Sequence, residues 1–212
     1  MHEPAAERAW RGLALAYAAG LGATILYANR AFYHDDAYIT LRYARNLIDG
    51  AGVVWNPGEY VQGYTNFLHL LLVSGLGWLG IDLVVASRVV GVAALLSLVV
   101  LLFIWSRRAD AESRSGLGHV PVILVMTSAP MLVWSVGGLE GTLFSALVTA
   151  GCLLFLLGLE GRLGISAFIA SGVCLAGSFL TRPDGIVFLS LSVCWSLLDR
   201  CLLYTSPSPR DP

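Results

Sequence analysis

The sequence predicts an all-α protein, a multi-pass transmembrane helical bundle whose long first outer loop carries surface-lying helices. Three observations carry that expectation. Of 212 residues, 57% are hydrophobic and only 13% are charged, against about 25% charged in a typical soluble domain. Apolar runs long enough to cross a ~30 Å hydrocarbon core recur along the chain. The side chains capable of chemistry gather in one polar stretch, His34 to Asn66, between apolar segments. A net charge of −1 supplies no basic field, so nucleic acid is not an expected partner.

The first span is expected over about residues 10–32, with Arg8 and Arg11 as a positive flank. That flank places the N-terminus in the cytoplasm and brings Asp35 and Asp36 out on the far side. A cleavable signal ending near Ala16-Tyr17-Ala18 is the competing reading. The apolar run continues well past that point, which argues against it. The first outer loop covers about 33–83. Within it, Asp36 to Asp49 has the pattern of an amphipathic helix. Tyr38, Ile39, Leu41, Tyr43, Ala44, Leu47 and Ile48 share an apolar side, and Arg42, Arg45 and Asp49 stay polar. Such a helix lies along a membrane surface. Asp35 or Asp36 is expected to cap it, Gly50 and Gly52 to break it, and Asn56-Pro57-Gly58 to turn the chain.

Phe67 to Gly80 is apolar but short for a full crossing. The next convincing span, about 84–105, is followed by Arg107, Arg108 and Arg114 in what reads as a polar loop. Three arginines in a short loop point to the cytoplasm. Residues 67–80 are therefore read as a half-inserted or surface helix. Spans at about 120–136, 142–159, 164–180 and 186–198 follow. Gly137-Gly138-Leu139-Glu140-Gly141 and Thr181-Arg182-Pro183-Asp184-Gly185 then fall outside, and Glu160-Gly161-Arg162 inside. Cys152, Cys174 and Cys194 lie in apolar runs, where a thiol packs as a small hydrophobe. Their spacing suggests neither a disulfide framework nor a metal site. Residues 1–200 read as the N-terminal part of one membrane module. The tail, 201–212, breaks the character of the rest and resembles a translated sequencing adapter, so it is set apart from the fold.

The topology carries Asp35, Asp36, Glu140, Arg182 and Asp184 to one outer face. A carboxylate at a membrane boundary is costly unless it meets water, a cation or a substrate. One of Asp35 and Asp36 can serve as general base on an acceptor hydroxyl; the plain alternative is a helix cap at a wet edge. Adjacent helical residues do not share a face, so the pair is not a symmetric dyad. Glu140, between glycines, suits a second acidic group that holds substrate or cation. Arg182 offers a guanidinium fork to phosphate, or simply snorkels. Arg42 and Arg45 add to the same patch or bind lipid headgroups. Trp55, Tyr60 and Tyr64 anchor the interface, with sugar stacking as an alternative. His34 and His69 stand isolated, and no metal site is assigned. No phosphate-binding loop, dinucleotide fingerprint, nucleophile elbow or zincin motif is present.

The stretch DDAYITLRYARNLIDGAGVVWNPGEYVQGYTNFL, with the G-G-L-E-G and T-R-P-D-G turns, resembles the GT-C glycosyltransferases. Within them it is similar to terminal arabinofuranosyltransferases and their bacterial relatives, across most of residues 10–198. The resemblance implies transfer of a sugar from a polyprenyl-phosphate donor to a cell-envelope glycan or other acceptor. It also implies that the transfer takes place with inversion, on the extracytoplasmic side of the plasma membrane. It implies Asp35 as base, Asp36 as its acidic neighbour, and Glu140 and Arg182 as substrate-binding; Arg42, Tyr64 and Asn66 of the first outer loop are also expected to bind substrate. No cofactor beyond the lipid-linked donor is required, and a divalent cation is open. The rival readings are a transporter or flippase for lipid-linked sugars and a non-catalytic membrane scaffold. A transporter would carry its ionisable groups near the bilayer midplane.

Overall fold

The structure is a computed structural model that describes residues 5–113 and 118–205, with side chains described for 9–110 and 118–198. Among the described residues the chain is an all-α bundle. Its helices run α1 Ala5–Ala28, α2 Ala37–Ile48, α3 Phe67–Trp78, α4 Leu83–Ser113, α5 Val120–Thr127, α6 Ala129–Val136, α7 Gly141–Leu159, α8 Gly164–Thr181 and α9 Gly185–Thr205. Four stretches are long and apolar enough to cross a membrane: Ala9–Ala28, Leu83–Asp110, Gly141–Leu159 and Gly164–Thr181. Phe67–Trp78 and Gly185–Leu198 are apolar but shorter. Large apolar side chains such as Tyr17, Leu96, Ile169 and Leu191 face outward, as expected where the surrounding medium is lipid.

Three boundaries differ from the sequence reading. The stretch 120–136 is divided at Ser128, whose backbone is extended (ψ 100°) and whose Oγ accepts the Met131 N–H. Pro130 is the cause, because it has no N–H for the Met126 carbonyl four residues earlier. Gly22 of α1 packs against that carbonyl, and any Cβ there would collide with it. Arg107 and Arg108 lie on α4 rather than in a loop, and Arg114 is outside the described residues. α9 runs on through Thr205, into the tail that the sequence set apart; 206–212 lie outside the described residues.

Small residues bring the helices together, as is usual where apolar burial alone gives no drive in lipid. Gly151 of α7 meets Leu175 of α8, and Ser171 Oγ donates to the Gly151 carbonyl at 2.8 Å. Gly158 takes the edge of Phe168, and Gly91 of α4 packs on the Ser135 carbonyl of α6. α2 and α3 lie against the start of α4 through Leu41, Ala44, Val73, Leu83, Ala86 and Val90.

Polar contacts mark two ends of this bundle. At one end, the chain after α1 bonds to the turn after α6, with His34 N–H donating to the Gly137 carbonyl at 3.0 Å. Tyr33 meets Ser87 near the start of α4, hydroxyl to hydroxyl, at 2.9 Å. At the other end, Arg11 of α1 pairs with Asp110 of α4 at 3.3 Å, and Arg108 and Arg162 approach Glu160 at 3.6 and 3.0 Å. These are here termed the acidic-turn end and the arginine-rich end.

Candidate functional site

The acidic turn begins where α1 stops. Gly138, at φ +86° and against the Tyr33 ring, has neither the backbone freedom nor the space for a side chain. It thereby lets the 33–34 segment lie on the turn leading to Glu140. The His34 ring packs on Trp134 with centroids 5.2 Å apart. Asp36 sits at the N-cap of α2, but its side chain makes no capping bond. Instead its own N–H donates to His34 Nδ1 at 3.2 Å and to Asp35 Oδ1 at 3.0 Å. The capping role expected of Asp35 or Asp36 is therefore not realised. Both carboxylates face water, with 93% and 68% of their side chains exposed.

His34, read as isolated, is in fact beside both aspartates. The ligand atoms of His34, Asp35 and Asp36 lie within 4.8 Å of one another. All three come from one turn, and the donors suit a hard or borderline cation only as a partial, open set.

α2 presents two faces. One holds the outer loop. Buried Tyr43 donates from its hydroxyl to the Val61 carbonyl and accepts the Gly63 N–H, each at 2.9 Å. Asn46 Nδ2 donates to the Val54 carbonyl at 2.7 Å. Arg42 belongs to this face. It donates to the Trp55 carbonyl and to Asn56 Oδ1 at 2.6 Å, and its guanidinium lies 4.1 Å from the centre of the Trp55 ring. Tyr64 stacks between Tyr43 and Phe67. Arg42 and Tyr64 thus fix the loop and are not drawn to the other candidates.

The other face carries Thr40, one turn after Asp36 and on the same side of the helix. From Thr40 a buried chain of bonds crosses the end of the bundle. Asn66 Nδ2 donates to Thr40 Oγ1 at 2.9 Å and to Glu140 Oε2 at 3.1 Å. Arg182 Nη1 donates to Glu140 Oε1 at 3.2 Å. Arg182 also pairs with Asp184 Oδ2 at 3.0 Å. Glu140 is nearly buried, with 12% of its side chain exposed, and both its oxygens are engaged. A buried carboxylate persists as an ion only when so paired. Asn66, Glu140 and Arg182, chosen from sequence, are therefore brought together, with the Asp35–Asp36 turn at the same end.

Thr40, His69 and Thr142 also belong here, and sequence reasoning missed them. His69, three residues after Asn66 on a helix too short to cross a membrane, is fully buried. Neither ring nitrogen has a hydrogen-bond partner, and neither does the Thr142 hydroxyl. Burial pushes the His69 imidazole down to about 4, against the opposing pull of Glu140. It is neutral at physiological pH. The i, i+3 spacing from Asn66 was the available signal.

Below this end, α3, α4 and α7 enclose an open apolar groove of about 610 Å³, lined by Leu72, Leu76, Val90, Ala94, Leu143 and Leu147 among others.

No family model matches the chain, and no solved structure does. Among curated proteins, a terminal beta-(1->2)-arabinofuranosyltransferase of Mycobacterium tuberculosis (strain ATCC 25618 / H37Rv) is 28% identical over 166 residues. The match covers 76% of this chain and 24% of the relative, so the chain spans about a quarter of that protein's length. The chain is an all-α membrane protein with a distant relation to a glycosyltransferase.

Proposed function

We propose that the chain forms part of a membrane glycosyltransferase that moves a sugar from a polyprenyl phosphate to a glycan or other acceptor hydroxyl. The sugar can be arabinofuranose, as in the name of the mycobacterial relative. The reaction takes place at the acidic-turn end, on the extracytoplasmic face of the plasma membrane. The observation that carries the reading is the Thr40–Asn66–Glu140–Arg182 chain. It ties three separate polar segments together at the end of the bundle that carries two exposed carboxylates.

In this reading Asp35 takes the proton from the acceptor hydroxyl. The hydroxyl oxygen attacks the anomeric carbon from the face opposite the phosphate, and the bond from that carbon to the phosphate oxygen breaks. The lipid phosphate leaves with the electron pair, and the sugar inverts. Phosphate is already a good leaving group, so the protein supplies mainly position, charge and one base. Asp36 orients the turn. Glu140 holds Asn66 and Arg182 in place, and the apolar groove suits a prenyl chain. Lipid-linked donor, envelope acceptor and membrane lipids are the partners.

The test uses proteoliposomes carrying the full-length protein that contains the chain, a radiolabelled pentose or hexose on a polyprenyl phosphate, and an acceptor glycan. Label is expected in the acceptor, and Asp35→Asn should slow its arrival about 10²–10⁴-fold. Undiminished turnover in Asp35→Asn would remove the base from the scheme. Failure to move any lipid-linked sugar would overturn the function.

A further inference from the structure

Asp35 and Asp36 stand on a turn that does little to hold itself. Their side chains are 93% and 68% exposed. Their bonds run to His34, to each other and into the first turn of α2. On the α1 side the turn is fixed through the three residues before it, Phe32 to His34. That segment is gripped from two directions. On the α6 side, His34 N–H donates to the Gly137 carbonyl at 3.0 Å. There Trp134 meets the rings of Phe32 and His34, with centroids 5.9 and 5.2 Å away. On the α4 side the grip comes from adjacent residues on that helix's second turn. Ser87 meets the Tyr33 hydroxyl at 2.9 Å. Arg88 Nη2 donates to the Phe32 carbonyl at 3.0 Å, and its guanidinium lies 5.5 Å from the centre of the Tyr33 ring.

Arg88 is a costly residue for this place. It is half-buried, and its Nε is buried with no hydrogen-bond partner. Among the described residues no carboxylate pairs with it. A cation withdrawn from water without an acid lowers stability, and a well-packed apolar side chain often replaces buried charge without loss. An apolar side chain cannot, however, donate to Phe32. That carbonyl lies beyond the end of α1 at Ala28, where no helix bond serves it. The segment it belongs to leads straight into Asp35, and the same segment is bonded to the turn that leads to Glu140. A reacting group misplaced by about 1 Å can lose on the order of 10²-fold in rate. The charge at Arg88 is thus matched by a gain in placement.

Resting on the function proposed above, we propose that Arg88 is a positioning residue for that reaction. It pins the exit of α1 to α4 through the Phe32 carbonyl and so fixes where Asp35 meets the acceptor hydroxyl, without touching substrate itself.

The experiment uses the full-length protein that contains the chain, in proteoliposomes, with a radiolabelled sugar on a polyprenyl phosphate and an acceptor glycan. In parallel, a nitroxide on Asp35→Cys reports local motion by electron paramagnetic resonance, with the native cysteines replaced by serine. A nitroxide on Thr65→Cys, an exposed loop position, is the control. Arg88→Met should lower kcat about tenfold or more and leave the KM of donor and acceptor within about twofold, with helical circular dichroism unchanged. The nitroxide on Asp35→Cys should move more freely in Arg88→Met, and the one on Thr65→Cys should not. Arg88→Lys should restore most of both readings, since an ammonium still donates to a carbonyl. An unchanged nitroxide on Asp35→Cys would overturn the proposal. Equal loosening at both positions would overturn it too, because that reports a general disruption. A raised donor KM at unchanged kcat would do the same, since Arg88 would then bind substrate directly. Where Arg88→Met does not fold, Arg88→Gln is read in the same way, its amide being too short for the Phe32 carbonyl. No sugar transfer by wild type, with the Asp35→Cys nitroxide still released by Arg88→Met, would sink the proposed function and leave the Arg88 anchor standing.

Discussion

The two polar ends of the bundle are built from the same residue types and are wired differently. At the arginine-rich end the acids are answered by cations. Asp110 takes Arg11 at 3.3 Å, accepts the Gly118 N–H at 2.7 Å and lies 3.9 Å from His119. Glu160 takes Arg108 and Arg162. At the acidic-turn end the pairing is incomplete. Glu140 is answered, but Asp35 and Asp36 face water, and among the described residues His34 is the basic group beside them. His69 and Thr142 are buried without partners. A closed set of charges holds helices together. An open set, next to an apolar groove, is what a ligand can complete. That difference, more than the residues themselves, supports the site proposed at the acidic-turn end.

The comparison breaks most sharply under substitutions of matched chemistry at the two ends. Asp35→Asn should lower sugar transfer by about 10²–10⁴-fold, while Glu160→Gln should leave it within about twofold, because surface pairs contribute little. A loss of equal size from both would erase the distinction, and radiolabel transfer reads it directly.

Stability should separate the ends more gently. Glu140→Ala leaves Asn66 and Arg182 without their acceptor and should cost about 1–3 kcal/mol, towards the lower figure because Arg182 is 43% exposed. Arg162→Ala at the opposite end, where the side chain is 48% exposed, should cost less than about 1 kcal/mol. Denaturant titration in detergent measures both.

Between the ends, Gly151→Leu should cost about 1–3 kcal/mol by forcing α7 off Leu175 and Ser171. It should not alter the relative order of the two polar ends.

The smallest effect is one of pH. His69 has a folded-state value near 4, below the ordinary 6.5. Its contribution is therefore fully present above pH 6.5 and is lost as pH falls towards 4. His69→Phe should lose stability less steeply over that window, and parallel slopes would show that His69 is not buried as described.

The long apolar helices were legible because hydropathy over a full span is a property of neighbouring residues. The break at Ser128 was hidden, since Pro130 sits in an unbroken apolar run and acts on a carbonyl four residues back. Arg107 and Arg108 looked like a loop because they are charged, yet arginine, alanine and glutamate are good helix formers, and α4 continues through them. At the site, Asn66, Glu140 and Arg182 stood out as polar groups in turns. Thr40 and His69 did not, because each lies on a helix whose pattern is satisfied without it. Thr40 takes its role from the bond that Asn66 donates, 26 residues on, and no local window contains that.

Sidedness is the most direct test of the whole account. A membrane-impermeant maleimide, applied to intact cells carrying Asp35→Cys, Asp184→Cys or Arg162→Cys with the native cysteines replaced by serine, reports which end faces out. Labelling of Asp35→Cys and Asp184→Cys from outside, with Arg162→Cys reached only after permeabilisation, is the predicted pattern. Labelling of Asp35→Cys and Asp184→Cys from opposite sides would contradict a shared site.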